Sequence, residues 1–294
     1  MNEDFGDRMK LYENEEADRR FMPLLPICAR LDGKCFSKFT KGLEKPYEEK
    51  LSKLMIDVTK TLVEETNAYI GYTQSDEISL VWYSDDFKSQ VWFDGRIAKM
   101  TSVLASMCTA FFNHLILQRF MPMFKDRLAF FDCRVWQVPT LDEAANTILW
   151  REQDATKNAI SCAAQQFYSH NQLQSKNGKE MQEMLFQKGI NFNDYPAFFK
   201  RGTFVQRKKV VRKFTVDELD KLPEKHEARK NPDLMIERSD IFVVDMPKFS
   251  SVVNRVGVIF HGEDPRTEHK VCEPCPESCG TDKPEECRIV KELK

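Results

Sequence analysis

The chain of 294 residues lacks long hydrophobic runs: its longest apolar stretches fall well short of the ~20 residues needed to span a bilayer. A secretory leader is not expected either, because Met1-Asn2-Glu3-Asp4-Phe5 is acidic where a signal sequence is basic and then apolar. Both absences point to a cytoplasmic protein with no membrane contact. An excess of positive charge is missing too, since 44 Lys and Arg face 46 Asp and Glu for a net charge of −2. Proteins that hold nucleic acid by bulk electrostatics are usually basic, so any nucleic acid here must meet local charge. The runs "RKKVVRKF" (Arg207 to Phe214) and "FFKRG" (Phe198 to Gly202) offer such a patch, or else a solvated strand face. No internal repeat is present.

What the chain does have is a core-forming composition, with 41% hydrophobic, 11% aromatic and 31% charged residues. Cys28, Cys35, Cys108, Cys133 and Cys162 are scattered through apolar surroundings and read as buried thiols. Cys272, Cys275, Cys279 and Cys287 form a C-x2-C-x3-C-x7-C cluster. In a reducing compartment that spacing suggests zinc before disulfides, although its irregularity also fits a plain acidic tail.

Apolar periodicity sets the order of elements. "LLPICARL" (24–31) reads as a strand ending at Asp32-Gly33. Leu51, Leu54, Met55, Val58 and Leu62 mark one stripe of a helix. "AYIGYT" and "ISLVWY" are strands joined through Gln74-Ser75-Asp76-Glu77, and a second helix runs from about Val91 to Gln118. "LAFFDCRVWQV" (128–138) is the next strand. Thr140 and Glu143 form an S/T-x-x-E capping box opening a long helix, and "GKEMQEMLFQKG" is a shorter helix closed at Gly189. "GTFVQRKKVVRKF" follows as a strand. Beyond Val216 a charged segment leads to two strand-like runs, "IFVVD" and "VGVIF", read as part of an appended region of roughly 80 residues.

The order β-α-β-β-α-β is the split βαβ arrangement of an α+β, ferredoxin-like fold. Right-handed crossovers make its first two strands parallel, with the third antiparallel between them. Neighbouring strands lie ~4.8 Å apart, so Asp32 at the end of the first strand comes beside Asp76 in the hairpin turn. Converging carboxylates are costly unless a proton or a cation lies between them. A shared proton, magnesium and a solvated turn all remain open. The neighbours favour magnesium: Gly33 permits close backbone approach, and the loop "DGKCFSKF" supplies amides with Lys34 and Lys38 for a triphosphate.

Three blocks, "ARLDGKCFSKFTKGLEKP", "YTQSDEISLVW" and "WREQDATKNAI", resemble the tRNA-histidine guanylyltransferase family over roughly residues 5–205. The resemblance is to its guanylyltransferase-like branch above all. It implies a palm-like catalytic core over 1–139, a region 140–215 that completes it, and a C-terminal extension 216–294. It implies 3′-to-5′ nucleotide addition to the 5′ end of tRNA, with ATP or GTP as substrates, two Mg2+ ions and a homotetramer. Asp32, the Gly33 carbonyl and Asp76 match the family's metal ligands, with Glu77 in a supporting catalytic role. Asp32, Gly33, Lys34, Cys35, Phe36, Ser37, Lys45, Ser75 and Asp76 match its nucleotide contacts. Arg30, Arg96, Lys99 and Asn158 match phosphate or RNA 5′-end positions. Arg96 and Lys99 nevertheless begin a helix at the opposite sheet edge, which suits a separate pocket, a subunit contact or plain surface charge.

Members that add a single guanosine to tRNA-histidine carry H-I-N-N-L-Y-N after W-R-x-x-D-x. Here that stretch is Thr156 to Cys162 and only Asn158 matches. This favours template-dependent repair of 5′-truncated tRNA over untemplated guanosine addition. A palm-fold nucleotide cyclase and a non-catalytic RNA-binding protein are the rival readings.

Overall fold

The computed structural model describes residues 3–267, except Met121 and Pro232. The cysteine cluster from Cys272 to Cys287, with its zinc reading, lies outside the described residues.

Helix α1 (Glu3–Ala17) leads to β1 (Ile27–Gly33), the helical turn α2 (Phe36–Phe39) and helix α3 (Glu49–Thr66). Strands β2 (Ile70–Gln74) and β3 (Glu77–Trp82) form a hairpin, followed by α4 (Ile97–Phe120) and β4 (Phe131–Gln137). Then come α5 (Leu141–Ala164), α6 (His170–Leu173), α7 (Gly178–Gln187), α8 (Ala197–Arg201) and β5 (Thr203–Lys213). Two short helices, α9 (Val216–Lys221) and α10 (Glu227–Lys230), precede β6 (Met235–Val244) and α11 (Arg255–His261).

The sheet has the order β4-β1-β3-β2-β5-β6, and every neighbouring pair is antiparallel. Its first four places are the split βαβ order, with β3 between the co-directional β1 and β2. Alternation divides β1 between two cores. Ile27, Ala29 and Leu31 face α3 and α4, with Leu54, Val58, Leu104 and Phe112. Cys28, with Tyr72, Val81 and Phe204, faces α5 and α11. Arg30, Asp32 and Glu77 therefore lie on the α5 side of the sheet.

Several expectations need correction. Helix α4 spans 24 residues and by length and composition alone could cross a bilayer. Here Met100, Leu104, Cys108, Phe112 and Ile116, four residues apart, form a buried stripe against the sheet. It starts at Ile97, not Val91, because Phe93 and Asp94 take left-handed φ values of 52°. Thr140 caps α5 by accepting from Glu143 N at 3.1 Å, but the Glu143 carboxylate accepts from Asn146, so only half of the capping box forms. "VGVIF" is helical: α11 buries Val258, Ile259 and Phe260 and ends at Gly262, where φ is 69°. Residues 216–261 do not stand apart from the sheet either. Strand β6 pairs with β5 along ten residues, from Phe204↔Val244 to Lys213↔Met235, and α11 packs into the α5-side core.

The run "RKKVVRKF" is not a free cationic patch. Arg207 donates to Val63 O and Glu64 O at the end of α3. Lys208 pairs with Asp264, Lys209 with Glu237, Arg212 with Glu218 and Asp240, and Lys213 with Asp233. In "FFKRG", Lys200 donates to Asn193 O.

Candidate active site

Strand register places Asp32 opposite Glu77 on one side and Asp132 on the other. Asp76 lies one residue before Glu77, in the turn that links the paired Gln74 and Glu77. Ser75 bends that turn with φ at 50°. The turn leans on β1 because residue 33 has no side chain. A Cβ there would lie 2.9 Å from Asp76 Oδ2, 3.0 Å from Asp76 Cβ and 2.5 Å from the Phe36 ring. Asp32 and Asp76 thus converge as the strand order requires. Burial raises the Asp76 carboxyl to about 6 and repulsion from Asp32 and Glu77 adds to this, while hydrogen bonds from its own backbone and from Ser75 oppose it. A cation between the carboxylates would remove much of that cost.

The loop after β1 is anchored from beneath. Lys34 N donates to Phe130 O at 2.8 Å, and Cys35, left-handed at φ 53°, starts α2. Phe36 and Phe39 insert into an aromatic cluster with Phe112, Phe124 and Phe131. This leaves Lys34, Cys35, Ser37 and Lys38 exposed around the loop. Phe36 can offer a nucleotide only its backbone, because its side chain belongs to the core.

Glu77 is committed to another partner. Arg151 on α5 grips it with two bonds, Nε to Oε1 at 2.6 Å and the second nitrogen to Oε2 at 2.8 Å. Arg151 also bonds Asp154 at 2.9 Å, and the Arg30 Nε lies 3.9 Å from Glu77. Both Glu77 and Arg151 are buried. Glu77 is therefore a structural anion beside the carboxylate pair, and the turn carrying Asp76 is tethered to α5.

From Arg151 one side of α5 runs through Asp154 and Asn158 to Cys162, at helical spacing. Asn158 is exposed, and Cys162 bonds Pro46 O at 3.4 Å. The bond to Pro46 O brings the adjacent, exposed Lys45 near this end of α5, where its charge lowers the thiol that burial raises. Lys45, the carboxylates and Asn158 thus border one face of the molecule. Arg96 and Lys99 do not join it. They line a separate cleft with Gln90, Val91, Phe93 and Asp94, where Arg96 pairs with Asp18 at 3.0 Å and Arg20 bonds Asp94.

Residues 6–139 match the family model described as tRNAHis guanylyltransferase (Thg1). The tRNA(His) guanylyltransferase of Saccharomyces cerevisiae is 31% identical over 204 residues, covering 64% of this chain and 84% of that protein. The corresponding protein of Neurospora crassa is 30% identical over 208 residues, or 63% and 68% of the two chains. A bacterial Thg1-like protein solved with ATP superposes with a TM-score of 0.64 at 41% identity, over 68% of this chain and 87% of its own. One solved with GTP has the same TM-score at 33% identity, over 84% and 94%. The chain belongs to the Thg1 family.

It is accordingly a Thg1-family nucleotidyltransferase with the palm-like fold of those neighbours. Among the described residues no group of three or more His, Cys, Asp or Glu converges as a metal site. Asp32 and Asp76, with the Gly33 backbone beside them, are residues that could hold a metal ion here. That hard-oxygen set, with a backbone that approaches closely at Gly33, fits magnesium, which takes its remaining ligands from phosphate and water. Sequence reasoning did not find Arg151, although the W-R-x-x-D block contains it. Its partner lies 74 positions away, and only the rotation of α5 over the sheet brings the two together. Glu152 was missed as well: its buried carboxylate accepts from Phe249 N at 2.9 and 3.0 Å, fastening the segment after β6 to α5.

Proposed function

We propose that this protein adds nucleotides in the 3′-to-5′ direction to the 5′ end of tRNA, choosing each by pairing with the opposite tRNA strand. The observation that carries the reading is Asp76 packed on Gly33 beside Asp32, at the mouth of a loop with exposed Lys34, Ser37 and Lys38. Asp32, Asp76 and the Gly33 carbonyl would hold the magnesium. When bound, it acidifies the attacking 3′-hydroxyl and neutralises the departing pyrophosphate.

The chain's own groups do the positioning. Lys34, Lys38 and the free amides of the α2 loop cradle a triphosphate, and Lys45 meets it from the α5 side. Arg151 holds Glu77 back, so that the Asp76 turn stays in register with Asp32. Arg96 and Lys99, in their separate cleft, suit a second triphosphate or a neighbouring subunit in a tetramer. Base choice through the template strand needs no protein code, which suits a chain with little net positive charge.

Template-dependent repair is supported by the departure at Thr156 to Cys162, where Asn158 alone keeps the H-I-N-N-L-Y-N pattern. Addition of a single guanosine to tRNA-histidine is the second reading, favoured by the names of the fungal relatives. A 5′-truncated, end-labelled tRNA incubated with Mg2+ and each NTP in turn separates the two. Addition of the templated base alone supports repair, and addition of G whatever the template supports the second reading. An Asp76→Ala variant should still bind tRNA and add nothing; extension at the parental rate would overturn the proposed carboxylate site.

A further inference from the structure

Trp150 is an exposed indole on α5. It is 51% exposed and joins none of the three hydrophobic clusters of the described residues. Its neighbours are cations: the Arg151 guanidinium lies 4.4 Å from the ring centroid and that of Arg30 5.8 Å away. Arg151 is spent on Glu77 and Asp154. Arg30 is held more loosely: its Nε lies 3.9 Å from Glu77 and makes no hydrogen bond.

The sheet adds a second oddity beside the ring. Arg30 lies directly opposite Arg134 on β4, and like charges placed so oppose folding unless something negative offsets them. Asp132 approaches Arg134 at 3.6 Å, but Arg134 remains exposed. The Arg30 guanidinium thus lies beside the exposed Trp150 ring, and the exposed Arg134 lies opposite Arg30 in the β1–β4 register. Arg30 is two residues from Asp32 on the same strand face, about 7 Å along β1. A flat aromatic surface with anion-seeking groups at its rim, one strand step from the carboxylate pair, matches a nucleotide: the base on the ring, the phosphate on the arginines.

We infer that Trp150 is a stacking platform for a nucleobase at the reacting end, belonging either to the incoming NTP or to the 5′-terminal nucleotide of the RNA. The inference rests on the nucleotidyltransferase reading above and names a contact that this reading does not require. Stacking tolerates every base, as template-directed addition demands.

The test measures binding to Trp150→Ala and Trp150→Phe, in the presence of Mg2+, with three probes: GTP, a 5′-triphosphorylated RNA hairpin and inorganic tripolyphosphate. The Ala variant should weaken at least one base-bearing probe about tenfold and leave tripolyphosphate unchanged, while Phe restores binding. Loss confined to GTP assigns the base to the incoming nucleotide, and loss confined to the hairpin assigns it to the RNA end. In the parent, GTP or the hairpin should shield tryptophan fluorescence from acrylamide, an effect absent from Trp150→Phe, whose remaining Trp82, Trp92 and Trp136 are buried or half-buried. Unchanged affinity for both base-bearing probes, or equal weakening of tripolyphosphate, would overturn the proposal. Asp76→Ala tests the catalytic reading separately: its failure would leave a positive stacking result standing, and a negative stacking result would leave Asp76 untouched.

Discussion

At the residue scale the site depends on one missing side chain and one buried ion pair. Gly33→Ala would press a methyl group into Phe36 and the Asp76 turn, at the distances given above. Overpacking of this kind costs about 1–3 kcal/mol, and the turn can relieve it only by moving Asp76 away from Asp32. Nucleotide addition should therefore fall much further than the melting temperature does; paired assays of rate and thermal stability check this, and parental activity would contradict it. Arg151 calls for a different experiment. Removing one partner of a buried pair costs about 3–5 kcal/mol, so Arg151→Met should show that loss in urea unfolding. Arg151→Met with Glu77→Leu should recover part of it, because the buried carboxylate is no longer stranded, although Arg30 loses the Glu77 charge 3.9 Å away. If the single variant unfolds like the parent, the pair does not hold the hairpin. The meeting of Asp32 and Asp76 could be read from strand order alone, since a sheet fixes its neighbours. The meeting of Glu77 and Arg151 could not, because helix rotation over a sheet follows from packing that no local pattern records.

At the scale of elements, periodicity found the long helices and central strands and failed on short apolar runs. "VGVIF" has the β-branched content of a strand, yet α11 forms because Val258, Ile259 and Phe260 fill the space under Tyr69, Tyr83 and Phe204, so tertiary packing overrides propensity. The β5–β6 ribbon offers the complementary case, as a cationic sequence neutralised by partners across the strand and beyond it. Lys209→Ala and Lys213→Ala should leave the salt dependence of RNA binding unchanged, since each lysine already has an acidic partner. A reduced slope in a salt titration would place them on the RNA.

The ribbon should also respond to acid before the rest of the sheet. Hydrogen bonds from Arg212 and from the Thr215 backbone hold the Glu218 carboxyl down at about 2. A folded value below the ordinary 4.5 contributes stability that is complete above 4.5 and is lost as pH falls from there toward 2. Amide protection in α9 should decline across that window while β3, buried on both faces, keeps its own. Simultaneous loss in both would show that Glu218 does not govern the ribbon.

At the scale of the whole molecule, the segment after Val216 belongs to the sheet's core and not to an appendage. A charged, proline-containing stretch conceals this, because composition marks where a chain is solvated and not where it returns. Met246, Phe249, Val252, Val258, Ile259 and Phe260 are all buried against Tyr72, Phe204 and the first half of α5. Each large apolar side chain contributes about 1.5–3 kcal/mol when fully buried. Together they rival the ~5–15 kcal/mol that holds a typical domain folded. Glu152 would lose the Phe249 amide at the same time. A chain ending at Thr215 should therefore fail to give a cooperative thermal transition, even though it retains Asp32, Asp76 and the whole split βαβ unit. Glu152→Ala in the full chain should act in the same direction but less severely, opening the 245–261 segment to limited proteolysis while the sheet still melts cooperatively. A stable, active chain of residues 1–215 would show that the palm-like core is complete without β6 and α11.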